Sequence, residues 1–256
     1  VGKIVEDLSG NIMNIVIPMA GEGTRFPKTK YKKSKPLINI LGKPMIQAAI
    51  ESLNLDGQYN YIIRKEHKDE IWDVLNTITP GCNIITVENT TGGPADSALL
   101  FDNIINNNKE LVIANCDQIM WWDSEMFLVN ARHPKYDGMI VTYYSDTPKN
   151  SYARINTRGF VVEVKEKEVI SHTSLNGIHY WKNGSYFVDS AKRMKECNDT
   201  APNGEYYVGP TYNYMINDLK KKVGVYHIPN FQHNPVGIPE DLERYISKVL
   251  YEENED

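Results

Sequence analysis

The chain has 256 residues, 41% hydrophobic and 24% charged, enough apolar material for a core without disulfide staples or disorder. Its formal net charge is −5, from 28 basic and 33 acidic side chains, which argues against a nucleic-acid binder. Cys82, Cys116 and Cys197 are odd in number and widely spaced, which argues against a disulfide framework or zinc site and for a reduced, cytoplasmic setting. The apolar run over 15–20 is far too short to span a bilayer, so no membrane partner is expected. Residues 1–13 lack the basic start and long apolar stretch of a signal peptide and read as a flexible leader, with Met13 a candidate natural start. One domain is expected over 14–256.

In chain order, residues 14–20 form a β-branched run ending at glycines, the pattern of a buried parallel strand. From Pro44, the residues Met45, Ile46, Ala49, Ile50 and Leu53 recur at helical spacing, with proline at a favoured first position. The pattern then predicts a strand over 59–64 and a helix over 68–78 with Ile71, Trp72, Leu75 and Ile78 facing inward. A strand over 83–87, a helix over 96–105 and a strand over 111–114 follow. This β-α-β-α alternation predicts a three-layer α/β/α fold around a mixed, mostly parallel sheet. After about residue 135 the rhythm turns β-rich: a strand over 138–144, a hairpin of 152–156 and 160–165 around Thr157-Arg158-Gly159, and a strand over 175–181. Helices over 185–196 and 206–219, a strand over 223–227 and a closing helix over 239–251 complete the reading.

The strongest chemical signal is Gly21-Glu22-Gly23-Thr24-Arg25-Phe26, directly after the first strand. Glycines let backbone N–H groups approach phosphate oxygens, and the end of a parallel strand is where such ligands bind. Phe26 stands where a dinucleotide fingerprint needs its third glycine, and the Gly-Lys-Ser/Thr of a Walker loop is absent. Lys35-Pro36-Leu37 follows shortly, at the end of the one basic cluster, residues 28–35. Arg25 and Lys35 are placed to converge on a triphosphate and supply the charge that developing phosphoryl oxygens require. Asp117, after the strand over 111–114, is placed for Mg²⁺ beside that triphosphate. A glycosyltransferase Asp-x-Asp differs here, because Asn115 holds its first position.

These segments resemble the sugar-phosphate nucleotidyltransferases (nucleoside-diphosphate-sugar pyrophosphorylases), whose signature is G-x-G-T-R-[FL] followed by K-P-L. Within that family the chain is similar to glucose-1-phosphate thymidylyltransferases and to a capsule or surface-polysaccharide branch beginning IVIPMAG. The resemblance implies the Rossmann-like nucleotide-diphospho-sugar transferase fold, with a nucleotide-binding half over 14–135 and a β-rich acceptor-binding half over 136–256. It implies an NTP site built from Ala20, Gly21, Gly23, Thr24, Glu88, Gly92, Gly93 and Asn115, with Gly93 against the base. Asp117 is implied as the metal ligand, and Lys167, beside Glu166, as the group holding the acceptor's phosphate. Asn176, Gly177 and Glu205 are implied around the acceptor. Tyr143, Tyr152, Tyr206 and Tyr207 are read as pocket walls or core.

Two departures stand out. Gly237-Ile238-Pro239-Glu240-Asp241-Leu242 resembles the family's G-T-P-E-D-L, but Pro235 holds the position where many members carry a second metal-binding aspartate. Asp241, at a helix N-terminus, is read as complementing the helix dipole. Ala153 replaces a glycine of several sugar-specific members. The expected partners are an NTP and a small phosphorylated acceptor, with a homo-oligomer allowed by analogy. Two alternatives stay open: a cytidylyltransferase acting on a non-sugar phosphate or phosphonate, and a non-catalytic nucleotide-sugar-binding sensor.

Overall fold

The structure is a computed structural model that describes residues 12–252. Residues 1–11 of the expected leader, and 253–256, lie outside the described residues. Met13, the last residue of that expected leader, is buried in the core and its carbonyl accepts from Gln58 N at 2.8 Å.

Strand β1 (Asn14–Met19) runs into the glycine loop, and a 3-10 turn (Lys35–Leu37) leads to the small hairpin β2 (Asn39–Ile40) and β3 (Lys43–Pro44). Then come α1 (Met45–Leu53), β4 (Gln58–Arg64), α2 (Lys68–Ile78), β5 (Asn83–Val87), α3 (Pro94–Leu99), α4 (Asp102–Ile105) and β6 (Leu111–Ala114). After them follow β7 (Gln118–Met120), α5 (Ser124–Ala131), β8 (Gly138–Tyr144), β9 (Ser151–Ile155), β10 (Val161–Glu166) and β11 (Thr173–Trp181). The chain continues through α6 (Gly184–Glu196), α7 (Thr211–Asn217), β12 (Val223–His227), β13 (His233–Pro235) and α8 (Pro239–Glu252).

Among the described residues the central sheet has nine strands, and its β5-β4-β1-β6 part is wholly parallel. β1 is buried on both faces, as its continuous apolar run requires. Ile15, Ile17 and Met19 enter one core with α1, α2 and α5, while Val16 and Ala20 enter the other with α3, α4, α6 and α7. That gives the three layers expected. A third cluster joins Phe26, Ile38, Met45, Ile119, Val236 and Leu242, and it fastens the glycine loop to α1 and α8.

β11 organises the other half. It is antiparallel to β8 along most of its length, with a bulge between Leu175 and His179. Its opposite edge meets β6 over residues 178–181 and β9 at Ser174. The sheet therefore forks where β6 ends, and Asn176 and Gly177 stand in the fork.

Three local readings need correction. The helix expected over 96–105 is two pieces, α3 and α4, with Leu100 and Phe101 between them. Trp72 does not face inward; it is 38% exposed and lies under Lys68 Nζ, 5.0 Å from the ring centroid. It sits one residue from Ile71, about 100° around the helix, beyond the narrow face that Ile71 and Leu75 bury. The helix expected from 206 starts at Thr211, because Tyr206 is tied to residues 92 and 95 by backbone hydrogen bonds.

Candidate active site

The glycine loop leaves β1 with Gly23 at φ +64, a backbone that favours glycine. A Cβ at Gly23 would also stand 3.0 Å from Lys35 Cβ. Phe26 N closes the turn on Gly23 O at 3.1 Å, and the buried Phe26 ring packs edge-on against Tyr31 at 5.0 Å. Pro36 and Leu37 bury one side of the 3-10 turn. Lys35 is thereby directed away from the exposed lysines at 28, 30, 32 and 33, and it forms an ion pair with Asp117. Burial alone would push the Asp117 carboxyl up, but Lys35 and then Arg25 outweigh it and hold the group below the usual range. A Cβ at Gly237 would lie 2.6 Å from Asp117 Oδ2, so only glycine leaves room for the carboxylate there.

A second loop faces the first. Gly93 takes φ +126, and a Cβ on it would meet Tyr206 N and Tyr206 O at 2.7 Å. This close approach lets Tyr206 N donate to Gly92 O at 2.7 Å and Ala95 N donate to Tyr206 O at 3.0 Å. Asp96 holds the turn by accepting from Gly92 N at 2.8 Å, and it is paired with Lys195. In the fork of the sheet, Gly177 takes φ +94 and packs beneath Asn115, whose Nδ2 would be 2.0 Å from an added Cβ.

Two cavities open onto these loops. The first, about 620 Å³, is lined by Ala20, Gly21, Gly23, Thr24, Arg25, Lys35, Gly93, Asn115 and Asp117, and also by Glu205 and Tyr207. The second, about 640 Å³, lies over the fork and is lined by Glu166, Lys167, Asn176 and Gly177 among others. Arg25, Asn115, Asp117 and Tyr207 are the polar residues common to both. Lys167, at φ +56, donates from Nζ to Tyr207 Oη at 3.0 Å. Burial raises the Glu166 carboxyl, against the pull of its partner Ser151 Oγ and of Lys167.

The structure thus gathers most of the residues singled out from the sequence into one cleft, in two compartments. Glu88 is outside both, at the end of β5 and paired with Lys65. Gly92 stands behind the wall, as the partner of Tyr206. Glu205, expected at the acceptor, lines the first cavity instead. Tyr143 and Tyr207 are pocket walls, Tyr152 is core, and Tyr206 is the clasp between loops. Ala153 is fully buried and lines neither cavity. Asp241 lines the second cavity and pairs with Arg244 at 3.0 Å in the first turn of α8.

Sequence reading missed Gln118, Lys149, Asn150, His179 and His233 as lining residues. Gln118 and His179, both buried, carry polar atoms with no partner among the described residues, Gln118 Nε2 and His179 Nδ1. Only His179 carried a signal in the sequence: a titratable residue within the apolar and aromatic stretch 178–181 of a predicted strand.

Among the described residues no three His, Cys, Asp or Glu side chains gather as a metal site. Asp117, in the space left by Gly237, nevertheless fits a hard cation that takes most of its oxygen ligands from phosphates and water.

A family model described as nucleotidyl transferase matches residues 15–222. The chain belongs to the nucleotidyl transferase family. It is 26% identical over 182 residues to the bifunctional protein GlmU of Methanococcus maripaludis strain S2, covering 69% of this chain and 42% of that protein. It is 23% identical, over the same length, to GlmU of strain C5. The chain therefore spans under half the length of these curated relatives. Its fold matches the crystal structure of a nucleoside-diphosphate-sugar pyrophosphorylase from Vibrio cholerae, with TM-score 0.75 and 17% identity over 91% of this chain and 99% of that one. It also matches a glucose-1-phosphate thymidylyltransferase candidate from Bacillus anthracis, with TM-score 0.72 and 20% identity over 92% and 94% of the two chains. The fold is that of the nucleotide-diphospho-sugar transferases. No helix among the described residues is long and apolar enough to cross a membrane.

Proposed function

We propose that this family member transfers a nucleoside monophosphate from an NTP to a sugar 1-phosphate, releasing pyrophosphate. The observation that carries the reading is the pair of adjoining cavities whose common wall holds Arg25, Asn115 and Asp117. Such an arrangement suits two phosphate-bearing substrates that must meet at their phosphates. The first cavity takes the NTP and the second the acceptor, which corresponds broadly to halves over 14–135 and 136–256, with Glu205 and Tyr207 crossing one way and Ile113 and Gln118 the other. A surface-polysaccharide pathway, thymidylyltransferase specificity and a cytoplasmic setting are the finer parts of the proposal. The first two rest on the resemblance of the glycine-loop strand, and the third on cysteines too few and too widely spaced for a disulfide framework.

The backbone of Gly21, Gly23 and Thr24 cradles the triphosphate, and Gly93 lies against the base. Lys167 holds the acceptor's phosphate in line with the α-phosphorus. One acceptor oxygen forms the new P–O bond, the bond to the β-phosphate breaks, and its electron pair leaves on pyrophosphate. Arg25 and Lys35 neutralise that leaving group, which frees Lys35 from Asp117. A phosphate monoester is already anionic near neutral pH, so positioning and electrostatics suffice without a general base. Mg²⁺, held by Asp117 and the phosphates, would supply charge neutralisation to the triphosphate when bound.

Lys35→Ala and Arg25→Ala should each lower kcat by about 100-fold, with the melting temperature little changed. Near-normal turnover in either variant removes the leaving-group assignment.

A further inference from the structure

The second cavity is walled in part by neutral polar side chains that lack partners. Gln118 opens β7, which pairs with β13 in the register Gln118 to Pro235 and Met120 to His233. Strand alternation puts these side chains on one face of the ribbon, and Gln118, His233 and Pro235 line the cavity. Ile119, on the other face, joins the cluster of Phe26 and Val236. β11 supplies another wall. His179 is in register with Ile113 of β6, and both line the cavity. Its ring lies against those of Trp181 and Tyr212, with centroids 6.0 and 5.8 Å away, and these two stack on each other at 4.8 Å. The imidazole is therefore held by packing and not by a hydrogen bond.

Gln118 and His179 are each only 5% exposed, and Gln118 Nε2 and His179 Nδ1 have no hydrogen-bond partner among the described residues. Neither side chain is charged at neutral pH: an amide never is, and burial pulls the imidazole down to about 3. A buried polar group without a partner costs stability, and that cost is offset when a ligand pairs with it.

We propose that Gln118 and His179 are specificity-determining residues, which exchange hydrogen bonds with hydroxyl groups on the acceptor's body. This rests on the transferase reading for the phosphate end of the acceptor. An amide and a neutral imidazole each offer a donor and an acceptor, as a hydroxyl does, so they match it without any change of charge. A polyhydroxylated ring satisfies both groups. An alkyl body leaves them buried and unpaired, which is how a polar site rejects an apolar analogue. No covalent bond forms or breaks at either side chain.

The test titrates the full chain calorimetrically, as wild type, Gln118→Met, His179→Phe and the double variant. The ligands are the 1-phosphates of α-D-glucose, α-D-galactose and α-D-mannose, and cyclohexyl phosphate, whose ring of similar size carries no hydroxyl. Wild type should bind at least one sugar phosphate about ten-fold or more tighter than cyclohexyl phosphate. Each single substitution should lower affinity for that sugar phosphate about five-fold or more, and leave cyclohexyl phosphate within about two-fold. Equal losses for both ligands mean that the substitutions act through the fold, and the proposal is overturned. The absence of any preference for a sugar phosphate in wild type overturns it as well. Unchanged sugar-phosphate affinity in one single variant removes that residue's role.

A parallel pyrophosphate-release assay with each NTP separates the two readings. Selective loss of sugar-phosphate affinity, without transfer by wild type, keeps the hydroxyl-binding site and counts against the transferase. Transfer with the same acceptor preference in wild type and both single variants counts against Gln118 and His179.

Discussion

Gly237 shows how a residue without a side chain serves the chemistry. The space it leaves is occupied by Asp117 Oδ2, and Lys35 Nζ lies 3.6 Å from where its Cβ would be. Both neighbours are ends of flexible side chains, so Gly237→Ala should displace the Lys35–Asp117 pair without unfolding the protein. Turnover is expected to fall about ten-fold or more while the melting temperature holds, measured by steady-state assay and thermal unfolding of the same preparation. Unchanged turnover would mean that the position of this pair does not matter. The roles proposed for Arg25, Lys35 and Asp117 were open to sequence reading because each sits in a motif whose chemistry is local. Tyr207 was harder to place. Its place depends on Lys167, 40 positions earlier, and on a wall shared by two cavities.

Among the elements, β11 does most to shape the site. Its bulge at Asn176 and Gly177 falls where β6 ends, so the chain turns a sheet edge into the floor of a cavity. Bulges are a common way to re-aim side chains next to active sites. Gly177→Ala would force both a strained φ and contact with Asn115, and it should cost about 1–3 kcal/mol in urea unfolding together with most of the activity. A stable and active variant would contradict this account of the fork. The bulge was missed because residues 175–181 read as one uninterrupted strand, although a glycine inside a strand, here Gly177, often marks one. Strands β7 and β13 were missed for another reason: three residues are too few to show a period, and their pairing joins segments more than 100 positions apart. The break between α3 and α4 has no proline or glycine to announce it. The β-α-β-α series of the first half was legible because β1, β4 and β6 are largely apolar and buried in a parallel sheet, while β5, at its edge, is still a β-branched run.

For the molecule as a whole, two imidazoles whose buried Nδ1 has no partner among the described residues make stability depend on pH. Burial pulls the His179 ring from 6.5 down to about 3. It pulls His233 down to about 4, against the opposing charge of Asp117. The unfolded chain takes up these protons and the native one does not, so the stability is present above pH 6.5 and is lost as pH falls towards 4 and then 3. Each group should contribute more than about 1 kcal/mol per pH unit across its window. Urea unfolding between about pH 4 and 7 should show this slope, and His179→Phe should flatten it. An equal slope in the variant would mean that the ring is protonated in the native state.

The central claim, transfer of a nucleoside monophosphate to a phosphorylated acceptor, is tested most directly by pyrophosphate release. The full chain would be incubated with each NTP in turn, including dTTP, Mg²⁺ and a pool of sugar phosphates and phospho-alcohols. The account predicts release that needs one NTP and a sugar 1-phosphate together, and that is lost in Lys35→Ala. Release with a phospho-alcohol alone would contradict the proposed acceptor and favour the cytidylyltransferase reading. No release from any pair, with NTP binding intact, would contradict the transferase reading and leave a nucleotide-binding sensor.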